Sequence, residues 1–230
     1  MSKALTHFNN YKIDSPNDLL GLSYIKEILK QKSNIEPICI KRTNDFHSSE
    51  LKGNIVSASS IRNALRNKKN IKKYVPNNCL KYLKKSTVFT EDYFELLKYK
   101  ILTSKDLSIY QTVDEGIENR IKKYIVSSKN LNELIENIKT KRYTYNKLNR
   151  MFIHILIGLK KSDNYINDNY LRIIGFDNIG RNYLQKINCI TNYKNTKVYD
   201  YELKASLIYD LINNTNTYEF EIKNKPVIKD

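Results

Sequence analysis

The 230-residue chain carries 40 lysine and arginine side chains against 24 aspartates and glutamates, a formal net charge of +16 with a pI near 9.5. With 40% hydrophobic residues, 18 tyrosines and 7 phenylalanines, it has enough apolar surface to exclude disorder for its bulk. No run approaches the roughly 20 apolar residues of a membrane span, and the amino terminus has no signal-peptide core, so the expectation is a soluble, cytoplasmic protein of one large domain or two small ones.

The opening, MSKALTHFNNYKID, has no strong period. SPNDLLGLSYIKEILKQK then predicts a helix: Ser15 or Asn17 can cap it, Pro16 suits the first turn, and Leu19, Leu22, Ile25, Ile28 and Leu29 recur at helical spacing. Gly21 inside that pattern costs about 1 kcal/mol relative to Ala, which points to close packing or to close approach of a ligand. IEPICIKR (35–42) alternates and reads as a strand, with Pro37 at its start or on an edge. A polar loop with Gly53 and a short extended NIV lead to VSASSIRNALRN. Serines before a helix-forming run read as an N-cap, and the same helix end, with free N–H groups and Arg62 one turn in, suits an anion such as phosphate.

After Pro76 the segments TEDYFELLKYKIL, LSIYQ, EGIENRIKKYIVSS, LNELIENIKTK and RYTYNKLNRMFIHILIGLKK all show three-to-four spacing, with Thr90 as a cap and breaks near Ser104, Gly116 and Ser127. GFDNIGRNYLQKI reads as a Gly-containing turn, followed by a short extended ITNY, a helix near YELKASLIYDLI and a polar tail. The fold class expected is α/β plus α: a partial Rossmann-like unit over 1–75, then a mainly helical domain over 76–230. With no repeat or low-complexity linker, the two are expected to pack together.

Cys39, Cys79 and Cys189 lack CxxC or any metal-type spacing with His7, His47 and His154, so the reading is reduced thiols and no metal site. Lysine far exceeds arginine and asparagine is abundant, a bias that fits AT-rich coding and inflates lysine number. The distribution of charge is more informative. Residues 1–90 hold 17 basic and 6 acidic side chains, and Arg62 to Lys85 hold nine basic and no acidic ones. A single-sign stretch this long, including Lys68, Lys69, Lys72 and Lys73, suits a nucleic-acid backbone.

On the helix expected over 143–159, Leu148, Phe152, Ile155 and Leu159 form the buried stripe. Lys147, Arg150 and His154 share another face and Arg142 opens the helix. With no balancing acid from Lys139 to Lys161, this face reads either as a solvated face with one satisfied histidine or, in preference, as a groove for an RNA backbone. Tyr143 and Tyr145 are expected in the core rather than stacked on bases. Glu115 and Glu118 are given no catalytic role: they complement a helix dipole, and Glu118 can pair with Lys122.

The strand end brings Arg42 and Thr43 to where ligands bind in open α/β sheets, and Arg42 and Arg62 are expected to converge on one crevice. Asn17 is either a cap or a reader of an adenine or ribose edge. SPNDLLGLSYIKEIL, IKRTND with His47 after it, VSASSIRNAL, EGIENRI, TKRYTYNKLNRMFIHILIG and IIGFDNIGRNYL, in that order, resemble the bacterial tRNA(Met) cytidine acetate ligase family, an offshoot of the HIGH-type nucleotidyltransferases. The resemblance implies activation of acetate with ATP and acetylation of the wobble cytidine of elongator tRNA(Met) to N(4)-acetylcytidine. It implies ATP binding by Asn17, Arg42, Thr43, Ser59, Ser60 and Arg62, with Mg as counter-ion of the phosphates and Arg62 as phosphate stabiliser. It also implies tRNA as partner, which the basic side chains read above from charge, Lys68, Lys69, Lys72, Lys73, Arg142, Lys147, Arg150 and His154, are expected to meet.

Family members begin with a half bearing an HxGH motif, and these 230 residues contain no such spacing. The expectation is therefore a carboxyl-terminal portion with no catalytic residue of its own, inactive alone, partnered by an amino-terminal half. The alternatives are a non-catalytic RNA-binding module and a fragment of another small-metabolite adenylyltransferase.

Overall fold

The computed structural model describes residues 15–40, 50–85, 88–163, 171–187 and 193–229, which divide into two compact units at residues 74 and 75. The described residues of the first unit hold two helices. Helix α1, Pro16–Lys30, starts at Ser15, whose hydroxyl accepts the Asn17 N–H at 3.2 Å, so Ser15 and not Asn17 is the cap. Helix α2, Ala58–Arg66, starts at Ser57. Both helices end in the same way. Lys32 and Lys68 adopt left-handed backbone, with φ of 49° and 52°, and the following residues Ser33 and Lys69 donate back to Ile28 and Ala64. This double-bonded helix end satisfies carbonyls that the last turn leaves unpaired, and it ordinarily uses glycine because a Cβ is strained there.

The strand expected over 35–42 does not form over its described part. Residues 33–40 are irregular and pair with no strand among the described residues; Ile38 and Ile40 are 84% and 92% exposed. Isoleucine favours strands by packing on a neighbouring strand, and where no neighbour is present its alternation has nothing to register against. Residues 1–14 and 41–49, with His7, Arg42, Thr43 and His47, lie outside the described residues. The loop before α2 is tied by Tyr74, whose hydroxyl donates to the Leu51 carbonyl at 3.3 Å.

The second unit is built around one apolar core. Its helices are α3 (Asn77–Lys85), α4 (Phe94–Thr103), α5 (Ile117–Ile125), α6 (Leu131–Ile138), α7 (Tyr145–Ile157), α8 (Asn178–Leu184), α9 (Lys197–Asn213) and α10 (Thr217–Lys223). Leu97 and Ile101 of α4, Ile121 and Ile125 of α5, Leu134, Ile135 and Ile138 of α6, and Leu148, Met151, Phe152 and Ile155 of α7 are buried together. They recur three and four residues apart, so each helix turns one apolar stripe inward, and each fully buried aliphatic side chain contributes about 1.5–3 kcal/mol.

Several segments depart from the sequence pattern for local reasons. LSIYQ is a turn, because the Asp106 carboxylate accepts both the N–H and the hydroxyl of Ser108 and so competes with helix bonding. This turn pairs with the end of α7: Gln111 N–H donates to Leu159 and Lys161 N–H to Ile109. Phe89, not Thr90, caps the 3-10 turn Thr90–Tyr93, and its N–H donates to Asp92 at 2.7 Å. Helix α3 follows Pro76 where no element was expected. GFDNIGRNYL is a helix as well as a turn, because the Asp177 carboxylate accepts the Gly180 N–H at 2.8 Å and starts α8.

The tail expected to be merely polar forms α10 and a short strand. Strand β1 (Gly175–Phe176) pairs in parallel with β2 (Val227–Ile228), Gly175 opposite Val227. A Cβ at Gly175 would lie 2.8 Å from the Val227 carbonyl oxygen, so this pairing requires glycine. Helix α10 hangs from one carboxylate at the end of α9: Asp210 accepts the Thr215 hydroxyl at 2.6 Å and the N–H groups of Thr217 and Tyr218 at 2.7 Å each. Burial pushes the Asp210 carboxyl up, but these hydrogen bonds outweigh it and bring the group from the ordinary 3.8 down to about 2.

A depressed carboxyl stabilises the folded state above the unfolded pKa and loses that contribution as pH falls through the folded value. The expected outcome is that stability measured against pH declines between about 4 and 2, and that Asp210→Ala both lowers stability at neutral pH and flattens this acid limb.

Candidate functional site

The amino end of α2 is the most tightly specified polar feature of the first unit. Ser57 is 2% and Ser60 0% exposed. The Ser57 hydroxyl accepts the Ser60 N–H at 3.0 Å and lies 2.9 Å from the Ser60 hydroxyl. Two of the serines therefore fix the helix end from inside. Ser59 faces outward beside Arg62, whose guanidinium reaches its hydroxyl at 3.5 Å and is otherwise exposed.

The backbone N–H groups of Ala58 and Ser59 find no acceptor among the described residues. The first turn holds no acidic side chain. Two spare donors, the positive end of the helix dipole and one exposed guanidinium thus face the same end of the helix, an arrangement that favours an anion.

A second feature lies along α1. A cavity of about 880 Å³ is lined by Ser15, Asn17, Asp18, Gly21, Leu22, Ile25, Cys39 and Ile40, within the size range of small-molecule sites. Asn17 is exposed, and because Ser15 does the capping its side-chain amide is available to a ligand. Gly21 lines this cavity and an adjoining apolar one of about 450 Å³. A Cβ there would meet nothing within 4 Å, so close packing is not the reason for glycine in the middle of α1.

None of Ser57 to Arg62 lines the α1 cavity. The expected convergence of Arg42 on Arg62 falls on a residue outside the described ones. Lys68 and Lys69 are exposed where α2 closes and complement the negative end of the helix, and Lys72 and Lys73 are exposed in the next turn.

On α7 the pattern 148, 152, 155 is buried as read, and Met151 joins it; Leu159 is only half-buried. The helix begins after Thr144, so Arg142 lies before it rather than in its first turn. The acids missing from 139–161 arrive from elsewhere. Glu115 pairs with Arg142, Asp114 with Lys161 at 2.8 Å, and Glu136 with Lys139 at 2.5 Å.

His154 is a satisfied histidine, with Nδ1 3.2 Å from the Thr112 hydroxyl and 3.3 Å from the Gln111 carbonyl oxygen. Tyr143 is buried and donates to the Asp114 carbonyl at 2.6 Å. Lys147 sits over its ring at 4.1 Å. Tyr145 is exposed and donates to Asn132 rather than lying in the core. Arg150 is exposed and makes no ion pair among the described residues. Lys122 donates to the Lys105 carbonyl, not to Glu118. The partners of Arg142, Lys161, Tyr143 and His154 were invisible because they sit on or beside the turn at 112–116, where Thr112, Glu115 and Gly116 all adopt positive φ.

No group of three His, Cys, Asp or Glu side chains among the described residues could hold a metal ion, and no described helix is long and apolar enough to cross a membrane.

Residues 1–225 match the HIGH Nucleotidyl Transferase family, and the chain belongs to it. A tRNA(Met) cytidine acetate ligase of Staphylococcus carnosus (strain TM300) is 35% identical over 231 residues, covering 94% of this chain and 60% of that protein. A protein of the same name from Clostridium perfringens (strain ATCC 13124) is 33% identical, covering 99% and 64%. The chain thus spans about 60% of the length of the curated relatives it matches.

Among solved structures, Thermotoga maritima TmcAL in an apo form superposes with a TM-score of 0.75 at 23% identity, over 94% of this chain and 61% of that one. The same protein bound with alpha-thio ATP gives 0.71 at 24%, over 94% and 60%. The fold is therefore of the nucleotidyltransferase type, as the α/β-plus-α reading held.

Removing the Ser57 hydroxyl takes away its bonds to the Ser60 N–H and hydroxyl. Ser57→Ala is expected to lower stability by about 1 kcal/mol in chemical denaturation, whereas Ser57→Thr retains most of it.

Proposed function

We propose that this HIGH nucleotidyl transferase chain binds ATP through its first unit and serves a tRNA-modifying ligase that activates acetate and acetylates the wobble cytidine of elongator tRNA(Met). The observation that carries the reading is the amino end of α2, with two unpartnered backbone donors and Arg62 beside them. The names of the relatives and the nucleotide bound to a protein of the same fold support it.

In this reading ATP is a substrate held in two places. The spare N–H groups of Ala58 and Ser59 and the Arg62 guanidinium hold phosphate oxygens, and a planar fork that never loses its charge is suited to that task. Asn17 offers a donor and an acceptor to the adenosine end in the α1 cavity. Arg42 and Thr43 add to the phosphate grip, and Mg accompanies the phosphates as their counter-ion. The buried Ser60 acts on the helix end rather than on the ligand.

A carboxylate oxygen of acetate attacks the α-phosphorus, the bond to the bridging oxygen breaks, and pyrophosphate leaves with that electron pair. The acetyl carbon is then attacked by N4 of cytidine, which loses a proton as AMP departs. The residues of this chain contribute positioning and stabilisation of the departing negative charge. The tRNA is met by basic side chains: Lys68, Lys69, Lys72, Lys73 and Arg150 are free to reach phosphates, Lys147 keeps its amine on the Tyr143 ring, and Arg142 must leave Glu115 to take part. His154 positions the turn at 112 and does not touch RNA. The 230 residues by themselves bind ATP without appreciable acetate-dependent release of pyrophosphate.

Titration with ATP tests the reading. Arg62→Ala is expected to weaken binding by about tenfold to a hundredfold. Gly21→Ala separates a ligand role from a helical one: it raises thermal stability, by about 0.5–1 kcal/mol, yet weakens ATP binding. Wild-type protein that takes up no ATP, or a Gly21→Ala variant that is more stable and binds equally well, contradicts the assignment of these positions.

A further inference from the structure

Part of the second unit's positive charge is matched by acids. Arg142, Lys161, Lys139 and Arg172 each face a carboxylate, from Glu115, Asp114, Glu136 and Glu221 respectively. One place differs. At the carboxyl end of α7 a cavity of about 410 Å³ is lined by Lys100 of α4, Lys160 just after α7 and Lys204 of α9, and no carboxylate lines it.

None of these three lysines makes an ion pair among the described residues. The nearest acids in sequence are otherwise placed. Asp163 accepts the Lys160 backbone N–H and the Tyr201 hydroxyl, and Glu202, two residues before Lys204, faces Arg172 at 3.8 Å, while the Lys204 amine lies 4.6 Å from the centre of the Tyr201 ring. Lys100 is half-buried, and its amine lies 5.8 Å from the centre of the Tyr110 ring. A partly buried ammonium with only a ring for company carries a desolvation cost that a carboxylate would ordinarily offset.

Part of this cluster has a structural explanation. The last carbonyls of α7 point toward its end, where Gly158 turns the chain with φ of 76°, and cations there complement the dipole. One cation in the last turn suffices for that. Three from three separate elements, around a cavity otherwise walled by Leu156, Ile157, Leu207 and Ile208, exceed it.

We infer that Lys100, Lys160 and Lys204 form a phosphodiester-binding pocket for the RNA backbone on the helical unit. This goes beyond the nucleic-acid face read on α7, most of whose charges are matched or tied down, and it rests on the proposal that the chain handles tRNA. Lysine suits this role because a compact charge on a flexible stem follows a backbone without demanding one orientation. Such contacts set register and affinity rather than sequence.

The test compares two triple variants of the full chain. One is Lys100→Gln, Lys160→Gln, Lys204→Gln. The control is Lys129→Gln, Lys186→Gln, Lys225→Gln, three exposed lysines that form no ion pair among the described residues and that remove the same charge. Binding of an unmodified tRNA(Met) transcript is measured over a range of salt, with circular dichroism to show that each variant is folded.

The pocket variant is expected to flatten the slope of log affinity against log salt by about 2 units, since each released phosphate contact contributes roughly 0.7–0.9, while the control keeps the wild-type slope. Equal slopes for the two folded variants overturn the pocket and leave the tRNA reading standing. Failure of the wild-type chain to bind the transcript overturns both. Should the triple variant not fold, the single Lys160→Gln and Lys204→Gln exchanges at exposed positions carry the same comparison, with a loss of about 1 unit each.

Discussion

The first turn of α2 depends on a hydroxyl pair shut away from water. Ser57 and Ser60 hold each other at 2.9 Å, and the same Ser57 oxygen takes the Ser60 N–H. A buried polar group that lost its partner would cost roughly 1–3 kcal/mol, so this end of the helix cannot fray without penalty. What faces outward is therefore fixed as well: two backbone donors with nothing to bond, and Arg62 close by. A loosely capped helix would spend those donors on water or on its own side chains. Here the inward serines do the capping and leave the outward side for something else.

The second unit shows the complementary economy of charge. Its core is a conventional set of apolar stripes, and some of its cations are answered from elsewhere in the chain: Arg142 and Lys161 by acids on the turn at 112–116, and Arg172 by Glu221 of α10. Matching of that kind stabilises little at an exposed position, but it settles which cations remain available to a polyanion. Arg142 is occupied by Glu115, His154 by Thr112 and Gln111, while Arg150 and the three lysines at the carboxyl end of α7 make no ion pair among the described residues. The electrostatic face of the unit is therefore narrower than its net charge suggests.

Local features were legible in the sequence to the extent that their causes were local. A serine cap before α2, the break at Gly116, the buried stripe 148–152–155 and the start of α1 all follow from residues within one turn of one another. Where the cause lay elsewhere in the chain, the reading went astray. The alternation of 35–40 looks like a strand, but only a neighbour makes it one. LSIYQ has helical spacing, yet Asp106 captures Ser108. The run from Lys139 to Lys161 lacks acids in sequence and acquires them in space. Gly21 is the intermediate case: its cost was visible in one dimension, but the choice between packing and ligand approach needed the open cavity beside it.

The central claim is that the outward donors of α2 hold the phosphates of ATP, and amide-resolved NMR of the 230-residue chain tests it most directly. On addition of ATP the backbone N–H resonances of Ala58 and Ser59 should shift downfield, as expected of donors that gain charged acceptors, while those of buried core residues such as Leu134 and Phe152 stay in place. ATP that saturates the protein yet leaves the amides of 58 and 59 unmoved would show that the nucleotide is held somewhere else, and the account of this site would fall.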